Sequence, residues 1–201
     1  VVEWWKRMAE KCKNLSPMVS FNLIVEPSDQ VKKDVAELNS LYEDCVTAIR
    51  KTNPKRIVFI APSKLSHPEG LKDLKIPSMG NGYLMAEWHF YAAGPSKSND
   101  KKRWTTGTAE EKQKIKKSIK VAVDWQKKTG IYTWVGAWMP GAYNKDDNYS
   151  VKEQTEFASF MTQQLDKHGV PFAINADHHF YDYKAEQWIS KYKDLLNTIF
   201  M

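Results

Sequence analysis

The chain has 201 residues and a net charge of +6, with 42% hydrophobic and 12% aromatic residues. This length accommodates one domain or two small ones, and the composition excludes a disordered, collagen-like or coiled-coil chain. The basic residues are mostly lysines interleaved with acidic residues, which is typical of solvated helix faces rather than of a nucleic-acid-binding surface. Apolar runs extend over only a few residues, so no membrane-spanning helix is predicted.

Segments of helix and strand character alternate along the chain. Helices are predicted where apolar residues recur at spacings of three and four, and strands where short runs rich in β-branched and aromatic residues end at proline, glycine or polar residues. In chain order the predicted elements are a helix at 2–14, a strand at 18–25, a helix at 29–52, a strand at 56–61, a short helix at 68–75, a strand at 83–91, a helix at 108–129, a strand at 131–138, a helix at 150–168, a strand at 170–177 and a helix at 184–199.

Local signals mark several helix ends. Ser28 or Asp29 is placed to cap the second helix, and Ser150 with Glu153 has the spacing of a capping box. Gly130 follows the helix at 108–129, where a residue in the left-handed conformation commonly ends a helix. Long polar loops are predicted at 92–106 and 140–148, and the first of these is a candidate wall for a binding cleft.

Strands that alternate with helices predict a parallel sheet covered by helices. Two architectures fit this order, a doubly wound open sheet and a (β/α)₈ barrel. The chain contains neither a GxGxxG nor a GxxxxGK[ST] sequence, which argues against a nucleotide-binding open sheet. Every predicted strand instead ends in polar, proline, glycine or aromatic residues, as expected at the face of a barrel that carries the active site. The pattern therefore favours a barrel, although only five of its eight strands are present.

Five segments resemble successive strands of the cellulase family of glycoside hydrolases, family five. Residues 19–27, Val-Ser-Phe-Asn-Leu-Ile-Val-Glu-Pro, resemble its fourth strand, which usually ends Asn-Glu-Pro. Residues 88–91, Trp-His-Phe-Tyr, resemble the sixth strand with its His-x-Tyr, and residues 133–138, Thr-Trp-Val-Gly-Ala-Trp, resemble the seventh, which normally reads Gly-Glu. Segments 56–62 and 170–177 match the fifth and the eighth. The resemblance implies an α/β fold, a partial (β/α)₈ TIM barrel of about five βα units, and a single domain over the whole chain.

The same resemblance implies hydrolysis of a β-1,4-linked glucan of the cellulase type. Glu26 takes the place of the general acid/base, while His89 and Tyr91 take the places of residues that contact the sugar. Two positions depart from the family: Val25 replaces an asparagine, and Ala137 replaces the nucleophilic glutamate. Retaining hydrolysis needs two carboxyl groups about 5 Å apart, and a methyl group cannot replace either. Three explanations stay open: an engineered change, a second carboxylate that takes over, or a protein that binds glycans without cleaving them.

Further candidates come from the strand ends. Glu87 shares the strand parity of the His-x-Tyr pair and is a candidate replacement carboxylate. Asp177 is a candidate sugar ligand or replacement carboxylate at the end of the last predicted strand. Trp138, Trp88 and Trp104 are candidate platforms on which a pyranose ring stacks, with packing in the core as the alternative.

No cofactor and no metal is predicted, because this chemistry needs only carboxylates. Asp177, His178 and His179 are adjacent on a predicted strand, so their side chains alternate in direction and do not chelate easily. Cys12 and Cys45 lie in separate predicted helices, which favours two buried thiols over a disulfide. The expected partner is an oligosaccharide or polysaccharide, with no nucleic acid and no membrane. An open five-stranded sheet has unpaired edges, so a second chain or segment is expected to complete the barrel. A secreted protein is implied by the resemblance alone.

Overall fold

The structure, a computed structural model, describes residues 1–27, 35–80, 82–92, 103–141, 149–175 and 177–200, leaving aside the side chains of Asp177 and His178. Helices and strands alternate along the chain, as the sequence predicts. The elements are α1 (Val2–Cys12), β1 (Phe21–Asn22), α2 (Val35–Arg50), β2 (Val58–Ile60), a 3₁₀-helix (Pro68–Asp73), β3 (Leu84–Tyr91), α3 (Ala109–Thr129), β4 (Tyr132–Met139), α4 (Val151–Lys167), β5 (Phe172–Ile174), α5 (Asp177–Phe180), β6 (Tyr181–Asp182), β7 (Gln187–Trp188), a second 3₁₀-helix (Ser190–Tyr192) and α6 (Lys193–Phe200).

The first five strands form one sheet in the order β1-β2-β3-β4-β5. The pairs β1–β2, β2–β3 and β4–β5 are parallel, with Phe21 opposite Val58 and Val58 opposite Leu84. Strand order therefore follows chain order, and each helical crossover leads to the neighbouring strand. Because the strands are parallel, their carboxyl ends lie at one edge of the sheet.

The chain divides into two compact units, Val1–Trp88 with Val121–Trp134, and His89–Lys120 with Val135–Met201. In the first unit, α1 packs against α2, and both helices bury apolar side chains. The hydroxyl of Tyr42 on α2 donates to the carbonyl of Ala61 at 2.8 Å, which fastens this helix to the end of β2. The fully buried side chains here include Tyr42, Val46, Ile49, Val58 and Ile60.

In the second unit, aromatic side chains dominate the core. The ring of Phe157 on α4 stacks on Phe90 of β3 at 6.2 Å and meets Trp138 of β4 at 6.1 Å. Trp104 packs edge-on against Phe157 at 5.6 Å, and α4 also packs against α6. Such aromatic pairs add to the free energy that area burial alone supplies.

The predicted helix ends are confirmed where the structure describes them. The Ser150 hydroxyl accepts from the Glu153 amide at 3.2 Å, and the Glu153 carboxylate accepts from the Ser150 amide at 2.7 Å. Gly130 has φ +73° at the end of α3. The candidate caps Ser28 and Asp29 lie outside the described residues, as do 93–102 and 142–148 of the two predicted loops.

The predicted helix at 184–199 is wrong over its first half. Tyr181–Asp182 and Gln187–Trp188 form an antiparallel hairpin, and the helix begins only at Lys193. Asp182 causes the reversal: one of its carboxylate oxygens accepts the amides of Lys184 at 2.9 Å and Ala185 at 3.1 Å. This local bond competes with the helical backbone bond, as aspartate often does at turns.

The predicted strands at 18–25 and 170–177 are shorter than expected, at two and three residues. Among the described residues, β1 and β5 are the outer strands of the sheet and each pairs on one side only. An outer strand forms backbone hydrogen bonds to one neighbouring strand, whereas an inner strand forms them to two. The extended conformation of β1 and β5 is therefore less stabilised, and both strands are short. None of the helices in the described ranges is both long enough and apolar enough to span a membrane.

The two cysteines are free thiols in different environments. Cys45 is 1% exposed and burial raises its thiol pKa to about 11, whereas Cys12 is half-buried. We expect iodoacetamide at pH 8 to label Cys12 well before Cys45, because the reagent needs an accessible thiolate. Folding raises the pKa of the Cys45 thiol above its ordinary value of 9.0. The free energy of unfolding should therefore decrease as the pH rises from 9 to 11. Equal labelling rates measured by mass spectrometry would contradict the buried position of Cys45.

Candidate active site at the carboxyl ends of the strands

Glu26 follows β1 and is half-buried. Its backbone has φ +48°, in the left-handed region that residues other than glycine seldom adopt. It borders a cavity of about 530 Å³ in the first unit, so the residue has open space beside it. The other residues that line this cavity come from the same strand end and from α2, and they are Ile24, Pro27, Glu37, Leu38, Ser40, Leu41 and Asp44.

Val25 precedes Glu26 and is 56% exposed. An isopropyl group at this place offers no donor or acceptor to a hydroxyl group of a sugar. The exposed position is consistent with a surface that meets a ligand, but the polar contact expected from an asparagine is lost.

Glu87 lies on β3 and is 2% exposed. One of its carboxylate oxygens accepts from the side-chain amide of Asn22 at 2.6 Å and from the indole N–H of Trp134 at 3.0 Å. The ring of Trp134 also packs against Phe59 at 5.0 Å. Glu87 is therefore a buried acceptor that binds two neighbouring side chains, and its role as a replacement carboxylate stays a prediction.

His89 and Tyr91 lie on the same strand, with ring centroids 6.3 Å apart and ring planes perpendicular. They are 5% and 6% exposed. The edge-to-face contact agrees with the predicted shared direction of alternate residues on this strand. His89 and Tyr91 also interact with other residues of the protein.

Ala137 lies at an irregularity of β4. Val135 is opposite Phe172 and Trp138 is opposite Ile174, so β4 advances three residues where β5 advances two. An extra residue of this kind is a β-bulge, which changes the direction of the side chains that follow. Gly136 and Ala137 are half-buried at this point.

Trp138 is fully buried, which favours core packing over the alternative of a sugar platform. Its ring lies 6.1 Å from Phe157 on α4 and 5.8 Å from Phe172 on β5. Phe157 is itself fully buried and Phe172 is half-buried, and Trp138 at 0% exposure has no face open for a sugar. Trp88 and Trp104 are also buried, at 0% and 1% exposure, and serve packing.

Asp177 begins the four-residue helix α5 and does not end a strand, which corrects its predicted place. Acidic residues are favoured at the first turn of a helix because of the backbone dipole. Its side chain lies outside the described part of the structure. Among the side chains that are described, no group of three or more His, Cys, Asp or Glu could hold a metal ion.

Three residues that contact the site candidates were not predicted from the sequence: Asn22, Trp134 and Ser66. Asn22 lies four residues before Glu26 and is polar within an apolar run, which is a usable signal. Trp134 lies before the bulge of β4, where strand parity still holds. The Ser66 hydroxyl accepts from the Glu26 amide at 3.1 Å across 40 residues of chain, and no local pattern indicates such a contact.

A family model described as Cellulase (glycosyl hydrolase family 5) matches residues 1–191. Endoglucanase H of Acetivibrio thermocellus is 28% identical over 139 residues, which are 69% of this chain and 15% of that protein. Endoglucanase C of the same organism is 28% identical over 90 residues, which are 45% of this chain and 25% of that protein. The chain therefore spans a minor part of these curated relatives.

Solved structures share the fold. The Clostridial cellulose synthase subunit Z from Clostridioides difficile has a TM-score of 0.85 at 20% identity, over 100% of this chain and 67% of its own. A hyperthermophilic endo-β-1,4-glucanase in complex with substrate has a TM-score of 0.80 at 24% identity, over 98% and 64%. Thermotoga maritima Cel5A in complex with cellobiose has a TM-score of 0.83 at 20% identity, over 98% and 65%. The expected partial (β/α)₈ barrel is thereby confirmed.

Proposed function

The chain belongs to the cellulase family, glycosyl hydrolase family 5, and we propose that it is part of an enzyme that cleaves β-1,4-linked glucan with Glu26 as general acid/base. The observation that carries this proposal is the position of Glu26. It lies four residues after the end of β1, is half-buried beside a cavity, and has a left-handed backbone. Residues in rare backbone conformations are concentrated at active sites, where the surrounding structure holds them.

In the proposed reaction Glu26 gives its proton to the glycosidic oxygen as the bond from that oxygen to the anomeric carbon breaks. A carboxylate then bonds the anomeric carbon, and Glu26 later removes a proton from the water that releases the sugar. His89 and Tyr91 orient the sugar, and Ala137 cannot supply the carboxylate. Glu87 and Asp177 are the candidate replacements, of which Glu87 is engaged by two donors.

The second candidate function is glycan binding without cleavage. The methyl group of Ala137, half-buried at the position where the nucleophile is expected, favours it. The two functions share the substrate class, an extended β-linked polysaccharide. Such a polymer does not enter cells intact, so we propose a secreted protein in either case. We also propose that a further segment or chain completes the barrel beside β1, since the chain covers about two thirds of its structural neighbours.

The test is a digest of cello-oligosaccharides by the intact polypeptide that carries this chain, beside a Glu26→Gln variant. We expect cleavage that falls by at least about a hundredfold in the variant, since general acid catalysis contributes about 10²–10⁴-fold. The products and their anomeric form are followed by NMR. Retention would indicate direct attack by a carboxylate, and inversion would indicate activation of water.

Matched outcomes separate the two functions. Cleavage that survives unchanged in Glu26→Gln would refute the role of Glu26. Binding without cleavage, measured by calorimetry with cellohexaose, would support the glycan-binding alternative. Glu37→Gln is a matched control, because Glu37 lines the same cavity and the family resemblance gives it no role.

A further inference from the structure

The backbone of Glu26 is held in a conformation that it would not adopt alone. Its φ of +48° brings the Cβ atom close to the backbone, which residues other than glycine avoid unless bonds compensate. Two hydrogen bonds bracket this residue. The Glu26 amide donates to the Ser66 hydroxyl at 3.1 Å, and the Leu65 amide donates to the Pro27 carbonyl at 3.2 Å. Both bonds come from one segment, the loop that follows β2.

This loop has an unusual backbone of its own. Lys64, Leu65 and Ser66 have φ values of +64°, +55° and +59°, so three successive residues are left-handed. Left-handed residues normally occur singly. Ser66 is fully buried, so its hydroxyl accepts from the Glu26 amide out of contact with solvent. A strained backbone segment whose buried hydroxyl accepts from a single amide is suited to hold that amide in place.

The loop is fastened on its other side by the 3₁₀-helix. Gly70 approaches it so closely that a Cβ at this position would lie 2.6 Å from the Ser63 carbonyl oxygen and 3.0 Å from the Pro62 Cβ. The His67 amide donates to the Lys64 carbonyl at 3.1 Å, and the Gly70 amide donates to the His67 carbonyl at 2.9 Å. Pro62 and Ser63 of the loop therefore pack directly against the 3₁₀-helix at Gly70.

We propose that Ser66 is a positioning residue for the general acid, holding the Glu26 backbone in the left-handed conformation that aims its carboxyl group. The inference rests on the proposed function of Glu26. Proton transfer is sensitive to misplacement of about 1 Å, so loss of this bond should weaken acid catalysis specifically. Ser66 itself touches no substrate in this scheme.

The loop contains a matched control. Ser63 is 2% exposed, and its hydroxyl has no hydrogen-bond partner in the described part of the chain. Ser66→Ala and Ser63→Ala each remove one buried hydroxyl from the same loop, but only the first removes a bond to Glu26. Ser66→Gly is the second variant, because glycine tolerates φ +59° and removes the hydroxyl without added backbone strain.

The experiment measures hydrolysis of two aryl β-cellobiosides by the intact polypeptide, in a background with Ala137→Glu to supply a nucleophile. A dinitrophenolate leaves without a proton, whereas a phenolate needs the general acid. We expect Ser66→Ala and Ser66→Gly to lower kcat/KM about tenfold on the phenyl substrate and less than about twofold on the dinitrophenyl substrate, because kcat/KM reports the step in which the leaving group departs and not the later step in which Glu26 acts as a base. Ser63→Ala should stay within about twofold on both.

Each remaining outcome decides the question. Losses of activity that are equal on the two substrates, or equal for Ser66→Ala and Ser63→Ala, would overturn the positioning role. They would leave the proposed function intact if the effect of Glu26→Gln still depends on the leaving group. Absence of hydrolysis both in the unsubstituted protein and in the Ala137→Glu background, or hydrolysis indifferent to Glu26→Gln, would overturn the proposed function and the positioning role together.

Discussion

Replacing Ala137 with glutamate is expected to raise the hydrolysis of cello-oligosaccharides by about a thousandfold or more. The family resemblance places a nucleophilic carboxylate at this position, and loss of a nucleophile costs factors of this size or larger in kcat. Ala137 is half-buried beside Gly136 in the bulge of β4, so a longer side chain does not replace a packed core residue. The measurement is the rate of reducing-sugar release by the intact polypeptide, with and without the substitution.

Ala137→Gln is the matched control, because glutamine has nearly the shape of glutamate and cannot attack the anomeric carbon. An increase in Ala137→Glu that is absent from Ala137→Gln would assign the position to the nucleophile. Equal rates in the two variants would contradict that assignment and direct attention to another carboxylate. If the unsubstituted protein already cleaves as fast as Ala137→Glu, a replacement carboxylate acts naturally, and Glu87→Gln and Asp177→Asn would then identify it.

Replacing Arg56 with lysine is expected to lower the free energy of unfolding by about 3 kcal/mol. Arg56 is 4% exposed and donates five hydrogen bonds to neutral acceptors. The acceptors are the Asn53 side-chain carbonyl and the backbone carbonyls of Cys12, Leu15, Ser16 and Val19. Lysine has three donors on a flexible stem, so at least two buried carbonyls lose a partner, at about 1–3 kcal/mol each.

Arg50 forms a second set of the same kind. It is 5% exposed, and its five donors bond the backbone carbonyls of Asn53, Arg56, Met79, Gly80 and Tyr83. Burial lowers the pKa of Arg50, and the five N–H donors of its guanidinium group match the five converging carbonyls. The two guanidinium groups tie α1, α2 and the segment before β3 together in the first unit. Arg50→Lys should therefore cost a similar amount.

Urea denaturation followed by tryptophan fluorescence measures both losses. Arg7→Lys is the matched control, because it makes the same chemical change on a side chain that is 76% exposed and whose ion pair with Glu3 lies on the surface. We expect the control to stay within about 0.5 kcal/mol. A loss in Arg56→Lys no larger than in Arg7→Lys would show that the five bonds contribute little.

Much of the fold follows from local patterns. The capping box of Ser150 and Glu153 and the glycine after α3 act within one turn of chain, so their sequence signals suffice. A buried parallel strand such as β2, Val-Phe-Ile, is apolar throughout and is followed by Pro62 and Ser63, which mark its end. The hairpin of Tyr181–Asp182 and Gln187–Trp188 does not follow from the local pattern, which has helical spacing. There the hydrogen bonds that the Asp182 carboxylate accepts in the turn outweigh the helical spacing.

By itself, the sequence determined the chemical groups and their places along the strands: Glu26 after β1, the His-x-Tyr pair at the end of β3 and a methyl group at position 137. These follow from residue identity and strand parity, which are local properties. Only the tertiary structure decided which side chains face the core and which residues hold Glu26. Strand parity fails across the bulge of β4, so Trp138 turns to α4 and becomes a core residue. Ser66 reaches Glu26 across 40 residues, and contacts between such distant residues depend on how the chain packs, which no local pattern encodes.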